Sequence, residues 1–540
     1  MAEAAETQQY PVADRPGLPP VIEPVASAVT AFLGRTLRGP MNQPEQVDSF
    51  ADFQRKFGGL WQPSMLAYAV AQFFESGGQS ALIVRVANGA RAASLTLPGP
   101  EGALTLRGVN PGTREFLRAA VDYDGIPAEE TDRFNLVVQR LERAGTELIE
   151  DQEIFRRVSV RADADRSVAE ALAASHLVRV EGLVPMGRPA ATASIDSGPL
   201  TGYVASAADG DDGGEISDYD LIGSAEGRTG LAALAACEAQ FSLLCIPPLA
   251  RERDVGMATW MVAARFCRLR QALLIVDPPR GWDSADAALA GLHDWALNST
   301  DACMFYPRLS LHDRLRGRDE VFAPCGVVAG QLAAADARAA VWKRPVPDEG
   351  VVRAPAQLAA PVSEQQRERL ASLGVNTLQT VRGGADVPEL RTLVPDLAAR
   401  PELRALGTRR LAQRIVTSVV TGTRWVLLET PGDALRQRLR AQIEAFLEPF
   451  AQHGALAGAC AEDSYFVICD ERLNAVVPGR GAVQVLFGFA PLRPAEFLAY
   501  LITHTAGGST VRAVSVSRAA THRRRSAEEI ETAILQGLIT

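Results

Sequence analysis

Three runs decide how the chain is read: Phe241-Ser-Leu-Leu-Cys-Ile246, Gln271-Ala-Leu-Leu-Ile-Val276 and Ala302-Cys-Met-Phe-Tyr306. Each is short, nearly all apolar and rich in branched or aromatic side chains, the pattern of a strand covered on both faces. The segments around them carry helical spacing and predict helices over 228–239, 256–269, 283–298 and 321–334. Strands alternating with helices at this interval predict a mostly parallel, doubly wound sheet.

Toward the N-terminus the same alternation continues. Ala28 to Leu33 reads as a buried strand, closed by the turn residues Arg38-Gly39-Pro40. Phe50, Phe53 and Phe57, then Leu66, Val70, Phe73 and Phe74, fall at helical spacing and predict two helices interrupted at Gly58-Gly59. Ala81 to Val86 is a strand after the turn Gly77-Gly78. From about 95 to 200 the segments are shorter, with strands at 135–139 and 153–160 and a helix at 167–175. The stretch Gly187 to Gly214, rich in Gly, Ala, Ser and Asp, reads as a linker or surface loop. Residues 1–24 hold Pro11, Pro16, Pro19, Pro20 and Pro24 and read as an extended arm.

Beyond the Pro-rich passage Pro345 to Val362, a helix begins at Ser363 with Leu370 and Leu373 on one face. A helix at 408–420, a strand Trp425 to Glu429 and a helix at 433–447 follow, then strands at 465–469 and 483–490 that close a second α/β unit. In the helix at 433–447, Leu435, Leu439, Ile443, Phe446 and Leu447 make one stripe, which leaves Arg436 and Arg438 on a solvated face. The tail offers a strand at 510–516, a basic run His522 to Arg525 and a capping box, Ser526 with Glu529. The helix that box opens carries Ile530, Ala533, Ile534 and Leu538, and is too short to stand without a partner surface.

The 540 residues are 47% hydrophobic and 22% charged, which excludes a disordered chain, a collagen-like fibre and a coiled-coil rod. A net charge of -9 argues against a basic nucleic-acid-binding surface. Positive charge is nearly all arginine, with lysine only at Lys56 and Lys343, a bias that reads as genome composition. The N-terminus lacks the basic start and apolar stretch of a secretory signal. The most apolar window, Leu231 to Ala250, is broken by Glu238 and by Pro247-Pro248, so no direct membrane insertion is expected. The seven cysteines, at 237, 245, 267, 303, 325, 460 and 469, form no C-x-x-C pair and read as buried reduced thiols of a cytosolically made protein.

Reactive constellations are missing from the pattern. The histidines at 176, 293, 312, 453, 504 and 522 lie in no H-E-x-x-H or H-x-H arrangement. No nucleophile elbow, phosphate-binding loop or dinucleotide fingerprint occurs. Lys343 follows no glycine loop and reads as an ion-pair partner. The acidic loop Asp209-Gly-Asp-Asp-Gly213 resembles part of a calcium loop, but its twelfth position is Asp220 rather than Glu, and Gly213 supplies no side-chain oxygen. It reads as a surface turn. The expectation is therefore no catalytic residue, no cofactor and no metal.

A positive signal lies in the order of short pieces. Thr30-Ala-Phe-Leu-Gly-Arg-Thr36, Arg38-Gly-Pro40, Phe57-Gly-Gly-Leu60, Gln72-Phe-Phe-Glu-Ser-Gly-Gly78 and Val84-Arg-Val86 come first. Leu244-Cys-Ile-Pro-Pro248, Val276-Asp-Pro-Pro279, Tyr306-Pro307, Ala323-Pro-Cys-Gly-Val-Val-Ala-Gly330 and Val341-Trp-Lys343 follow. Leu373-Gly-Val-Asn-Thr377, Gly422-Thr-Arg-Trp425, Tyr465-Phe-Val-Ile-Cys-Asp470 and Pro491-Leu-Arg-Pro-Ala-Glu-Phe497 complete the series. In this order the chain resembles contractile tail sheath proteins, found in phage tails and in phage-tail-like contractile injection systems.

That resemblance implies a structural subunit. Copies would stack as a helical sleeve of rings, hexameric in the family, around an inner tube protein. Baseplate and tail-terminator or cap proteins would be further partners, with no nucleic acid. Contraction would drive the tube through a target envelope, and the particle would be made in the cytoplasm and could be released. A non-contracting or baseplate-proximal homologue is the alternative within the same machinery, and a subtilisin-like hydrolase the remote one. The resemblance further implies an α/β, multi-domain fold: an arm at 1–24, the start of the inner region at 25–95 and a mostly β outer insertion at 96–205. A subtilisin-like middle domain would span 206–362, a smaller tube-facing domain 363–502 and an extension 503–540.

The chain lacks the H-G-T and G-T-S-x-A-x-P signatures of active subtilisins, so no peptidase activity is carried over. Extended arms of such subunits add a strand to a neighbour's sheet. Here the arm reads Pro16-Gly-Leu-Pro-Pro-Val-Ile-Glu-Pro24, departing from P-G-V-Y-[VI]-E-E, and its prolines cannot donate to a ladder. The tail, through 510–516 or 530–538, is expected to dock on a neighbour instead. The family's W-G-A-R-T segment is also replaced, by Arg382-Gly-Gly-Ala-Asp386.

Overall fold

A computed structural model describes residues 21–26, 29–143, 146–192, 202–237, 239–338, 357–379, 389–396, 403–430, 432–458, 460–474, 482–492, 497–505 and 508–514. Val341-Trp-Lys343, Arg382 to Asp386 and the expected helix at 530–538 lie outside the described residues. The chain forms two compact units, one spanning Ala26–Ala399 and one joining the segment before Ala26 to everything from Arg400 on.

The larger unit is organised by a parallel sheet. Its strands are β1 (Thr30–Gly34), β2 (Glu45–Val47) and β3 (Ala81–Arg85), then β11 (Leu243–Cys245), β12 (Leu273–Val276), β13 (Ala302–Tyr306) and β17 (Val375–Thr377). They lie in the order β17-β13-β12-β11-β1-β3-β2, all parallel except β2. The three runs first quoted are thus neighbours, as alternation with helices predicted. The sheet also takes β1 and β3 from the beginning of the chain, so it is not confined to the middle of the sequence.

Period-two alternation assigns the two faces. Ala31, Leu33, Leu244, Ile246, Leu274, Val276, Met304 and Tyr306 share one core with Trp260, Ala263 and Cys267 of α6 (Met257–Arg270) and Ala288 of α7 (Ala285–His293). Leu370 of α9 (Glu364–Ser372) completes that side. On the opposite face Phe32 meets Phe73 edge-on at 5.5 Å, and Cys245 reaches the carbonyl of Cys325. These contacts place α2 (Met65–Glu75) and α8 (Cys325–Arg338) there. The first helix, α1 (Phe50–Phe57), starts on the Ser49 cap and ends at Gly58, whose φ of 88° explains the Phe57-Gly-Gly-Leu60 piece.

The Ala-Gly-rich piece ending at Gly330 has an equally local reason. A Cβ on Gly326 would sit 2.2 Å from the Ala69 carbonyl oxygen, and one on Gly330 would sit 2.4 Å from that of Phe73. Two glycines one turn apart on α8 let its backbone lie directly on α2.

Two further sheets form the insertion between β3 and β11. One is β4 (Ser94–Leu97), β5 (Leu104–Gly108) and β9 (Val178–Val180); the other has the order β10-β6-β7-β8. In the second, β6 is Phe116–Asp122, β7 is Arg133–Leu141, β8 is Ile149–Ser159 and β10 is Val204–Ala205. Leu95, Leu106, Leu117, Phe134 and Leu136 pack them together, with Val168 and Leu172 of α3 (Val168–Ala173). The segment 187–214, read as a loop, contributes strand β10 to this layer.

Three helix expectations were too long, and the one at 283–298 is α7, which ends at His293. The one at 228–239 is the short α5 (Leu231–Ala236), preceded by α4 (Asp218–Ile222). The one at 321–334 starts only at Cys325, because β14 (Leu309–Asp313) and β15 (Arg318–Phe322) form a hairpin before it. Strand β16 (Gln357–Leu358) pairs with β14 on its other side. Arg251 holds the hairpin: its Nη2 bonds Asp313 at 2.6 Å and its guanidinium lies over the Tyr68 and Phe322 rings.

The smaller unit contains α10 (Leu406–Gly422), α11 (Asp433–Gln452), α12 (Ala461–Ser464) and α13 (Glu471–Asn474). Its strands are β18 (Tyr465–Ile468), β19 (Val483–Phe489), β20 (Leu498–Thr505) and β21 (Gly508–Val514). They are antiparallel throughout, so this unit is not a second alternating α/β unit. The expected strand Trp425 to Glu429 is a 3-10 helix, Arg424–Leu428, because its apolar run has no period that separates strand from helix. Here the Trp425 indole N–H donates to Gln442 of α11 at 2.9 Å. The expected α11 stripe is buried, but Arg436 and Arg438 are not merely solvated. Arg436 pairs with Asp433, while Arg438 pairs with Glu429 and lies 5.1 Å from the Trp425 ring centroid.

Replacing Gly326 or Gly330 by valine should lower stability by about 3 kcal/mol or prevent folding, because helix backbone cannot yield as a side chain can. Gly281→Ala, with nothing within 4 Å of the new Cβ, should change it by under ~0.5 kcal/mol. Urea denaturation of the three variants measures the contrast.

Candidate functional site

Ligands of doubly wound sheets sit beyond the carboxyl ends of the strands, where the strand order reverses. In this sheet that point lies between β1 and β11. The residues that arrive there are arginines and carboxylates already committed to one another. Arg85, at the end of β3, is 1% exposed and donates from Nη1 to the Gly39 carbonyl at 2.7 Å. Burial pushes its guanidinium down to about 10, against the pull of Glu115 and Asp212. Arg35 donates to the carbonyls of Asp212 and Gly213 at 3.0 and 2.9 Å and lies over the Trp61 ring.

Arg38 makes a forked pair with Glu150 of β8, at 2.7 and 2.9 Å, and also donates to the Arg55 carbonyl. Arg140 stands 3.5 Å from the same Glu150 and 4.0 Å from Glu115. Glu115 is buried, and desolvation raises its carboxyl above the ordinary range. The network therefore fastens the insertion to the sheet. It presents no base to a substrate, since each carboxylate faces a guanidinium. Sequence reasoning missed it, although one signal was available: Arg85 interrupts the apolar run Ala81 to Val86.

At the neighbouring strand ends, Asp277 follows β12 and is buried. Its Oδ1 accepts the Cys325 backbone N–H at 2.9 Å, so it serves the N-terminus of α8 from a distant segment. Burial pushes this carboxyl up to about 6. The Cys245 and Cys325 thiols beside it are both raised by burial, the opposite of an activated nucleophile. The buried thiols expected from sequence include Cys267, Cys303 and Cys469 as well, whereas Cys460 is exposed.

The acidic loop is a set of stitches rather than a cation loop. Asp209 accepts from the Ser94 N–H and hydroxyl and pairs with Arg107. Asp212 accepts from the Thr113 N–H and hydroxyl, and Asp211 from the Gly213 N–H. Among the described residues no group of three or more His, Cys, Asp or Glu is placed to hold a metal ion. Among them, too, no helix is long and apolar enough to cross a membrane.

The described histidines meet no common partner. His176 faces Asp151 and Glu153 on the insertion surface, His312 faces Asp319, and His453 contacts the Pro449 carbonyl. His504 of β20 is the one fully buried ring among those described. Thr423 donates its hydroxyl to the Val419 carbonyl, so it accepts from His504 Nε2 at 2.9 Å. Nδ1 is then the acceptor for the Ser509 hydroxyl at 2.7 Å. A serine–histidine pair results, but the ring has a hydroxyl rather than a carboxylate behind it. Burial, with help from Arg424, pushes the imidazole down to about 4 and disables it as a base near neutrality.

What the smaller unit does present is strand edge. In the order β18-β19-β20-β21, both β18 and β21 keep one side without a described partner strand. Such rows of N–H and C=O groups are templates for pairing with another chain. The expected docking strand at 510–516 is largely used within the chain as β21.

The fold is that of contractile tail sheath proteins. The sheath tail protein of Listeria innocua matches with a TM-score of 0.59 over 88% of this chain and 94% of that one, at 13% identity. The sheath tail protein of Desulfitobacterium hafniense matches at 0.50 over 93% and 100%, with 14% identity. The PVC sheath complex of an extracellular contractile injection system, in its contracted state, matches at 0.50 over 92% and 97%, with 15% identity. No protein-family model and no curated protein sequence matches the chain.

The buried imidazole has a pH consequence. Its folded value lies below its ordinary 6.5, so the unfolded chain takes up the proton first. Stability is full above about pH 6.5 and declines as pH falls toward about 4, by roughly 3 kcal/mol from this group. Denaturation of wild type and His504→Asn between those pH values should show a shallower decline in the variant.

Proposed function

We propose that the chain is the repeating structural subunit of a contractile sheath, assembling with copies of itself around an inner tube. The observation that carries this reading is a likeness over nearly the whole length of both partners, 88–93% of this chain and 94–100% of the sheath proteins. An enzyme that had borrowed one domain would match in part. The arrangement of side chains supports a non-enzymatic role, because the groups at the sheet's switch point neutralise one another.

In this reading the subunit forms stacked, family-like hexameric rings, with the tube, a baseplate and a cap protein as further partners, in a particle that acts outside the producing cell. The larger unit supplies the subtilisin-like scaffold and its outer insertion. The tube-facing role assigned to 363–502 falls on the part of that range lying in the smaller unit. The edges of β18 and β21 receive strands from neighbouring copies, since neither is blunted by a described partner.

Negative-stain microscopy of the purified chain should show striated or contracted tubes; a monodisperse particle under all assembly conditions would sink the proposal. Because Gly508–Val514 belongs to the sheet, the informative truncation begins after it. Removing 515–540 should leave hydrogen-exchange protection of β19 and β20 unchanged and strongly reduce tube yield, and unchanged yield would take the tail out of the assembly.

A further inference from the structure

The first described residues sit on the wrong side of the sequence for a simple arm. Val21 to Val25 precede β1 of the larger unit, yet they belong to the smaller one. Ile22 is 4% exposed, although Val21 beside it is 85% exposed. The Val25 N–H donates to the Ser418 hydroxyl of α10 at 2.9 Å, and that hydroxyl donates to the Arg414 carbonyl one turn earlier. Ile22 occupies the space over Gly422: a Cβ there would stand 2.9 Å from Ile22 Cγ1 and 3.0 Å from Cγ2. Glycine at the last position of α10 is thus a seat for one isoleucine, and Ser418, one turn back, is the latch for the backbone that follows.

We propose that residues 21–25 are a clip that anchors the root of the N-terminal arm to α10, so that the arm engages neighbouring copies as part of the C-terminal unit. The proposal rests on the sheath reading above. Pro24 suits the clip, since its ring fixes φ and lowers the freedom this exposed stretch loses on docking. The consequence is mechanical. A pull on residues 1–20 is borne by α10 and by β20, which packs on it. Ile22, Ser418 and Gly422 act as positioning residues for whatever the arm grips.

The test uses the full chain with two substitutions that attack the clip from opposite sides, Gly422→Val and Ile22→Asp. Hydrogen exchange of the monomer reads the contact, and the concentration at which tubes form reads its role. Both variants should raise exchange of the peptide covering 21–26 at least tenfold, leave peptides from β19 and β20 unchanged, and raise the critical concentration several-fold. Tubes forming at the wild-type concentration from a chain whose 21–26 peptide exchanges freely would overturn the proposal. So would wild-type protection of that peptide in both variants. If Gly422→Val also loosens β19 or β20, Ile22→Asp, which lies outside the helix, decides. A wild-type chain that never polymerises overturns the sheath reading and the clip's part in assembly, while protection of 21–26 in that monomer would still register the contact.

Discussion

The larger unit depends on β1 being held on both sides by segments far from one another. Thr30 is opposite Ala81 of β3 on one flank and Leu243 of β11 on the other. Among the described strands no other joins the beginning of the chain to its middle, because β3 leads outward to β2 and β11 leads to β12, β13 and β17. Each parallel pairing needs a crossover, and the crossovers become the covering layers. The helices on the two faces, and the insertion leaving from the end of β3, follow from where β1 sits. Its side chains are buried throughout, as a strand at the centre of such a sheet requires.

The same geometry explains how the described residues at the strand ends are used. Parallel strands deliver their following residues to one edge, and what arrives at that edge decides the use. Arg35, Arg38 and Arg85 arrive with Glu115, Glu150 and Asp212, and the charges are consumed in holding the insertion. Breaking one partner of such a pair leaves an uncompensated buried charge, so the arrangement favours a fixed attachment over a reactive one. Asp277 and the two thiols near it are likewise turned inward to serve α8. In the smaller unit, β18 and β21 each keep one main-chain edge without a described partner strand.

Several features were legible in the residues for local reasons. The apolar runs ending at Ile246, Val276 and Tyr306 announced strands covered twice, and the phenylalanines at 50, 53 and 57 announced α1. The glycines of Phe57-Gly-Gly-Leu60 and of the piece ending at Gly330 are explained by a left-handed cap and a helix contact. Where the local signal was ambiguous it failed. Trp425 to Glu429 is as apolar as a strand, and only Gln442 and Arg438, supplied by α11, decide that it coils. The hairpin Leu309–Phe322 carries charged residues at its tip and its last two residues read as helix, yet Arg251 pins it from outside through Asp313.

By itself the sequence determined the kind and order of most elements, the mixed α/β class and the lack of any reactive motif, because these follow from periods of two and 3.6 residues and from spacing along the chain. Its resemblance to sheath proteins pointed to the fold that the structure then displayed. Only the tertiary structure decided that β1 and β3 complete the sheet of the middle region, that the acidic loop and the buried arginines are fasteners, and that the second sheet is antiparallel. It alone placed Val25 against Ser418, a contact between residues 393 positions apart. The reason is physical: a hydrogen bond or a buried ion pair depends on which surfaces meet, and neither partner's own segment records the other.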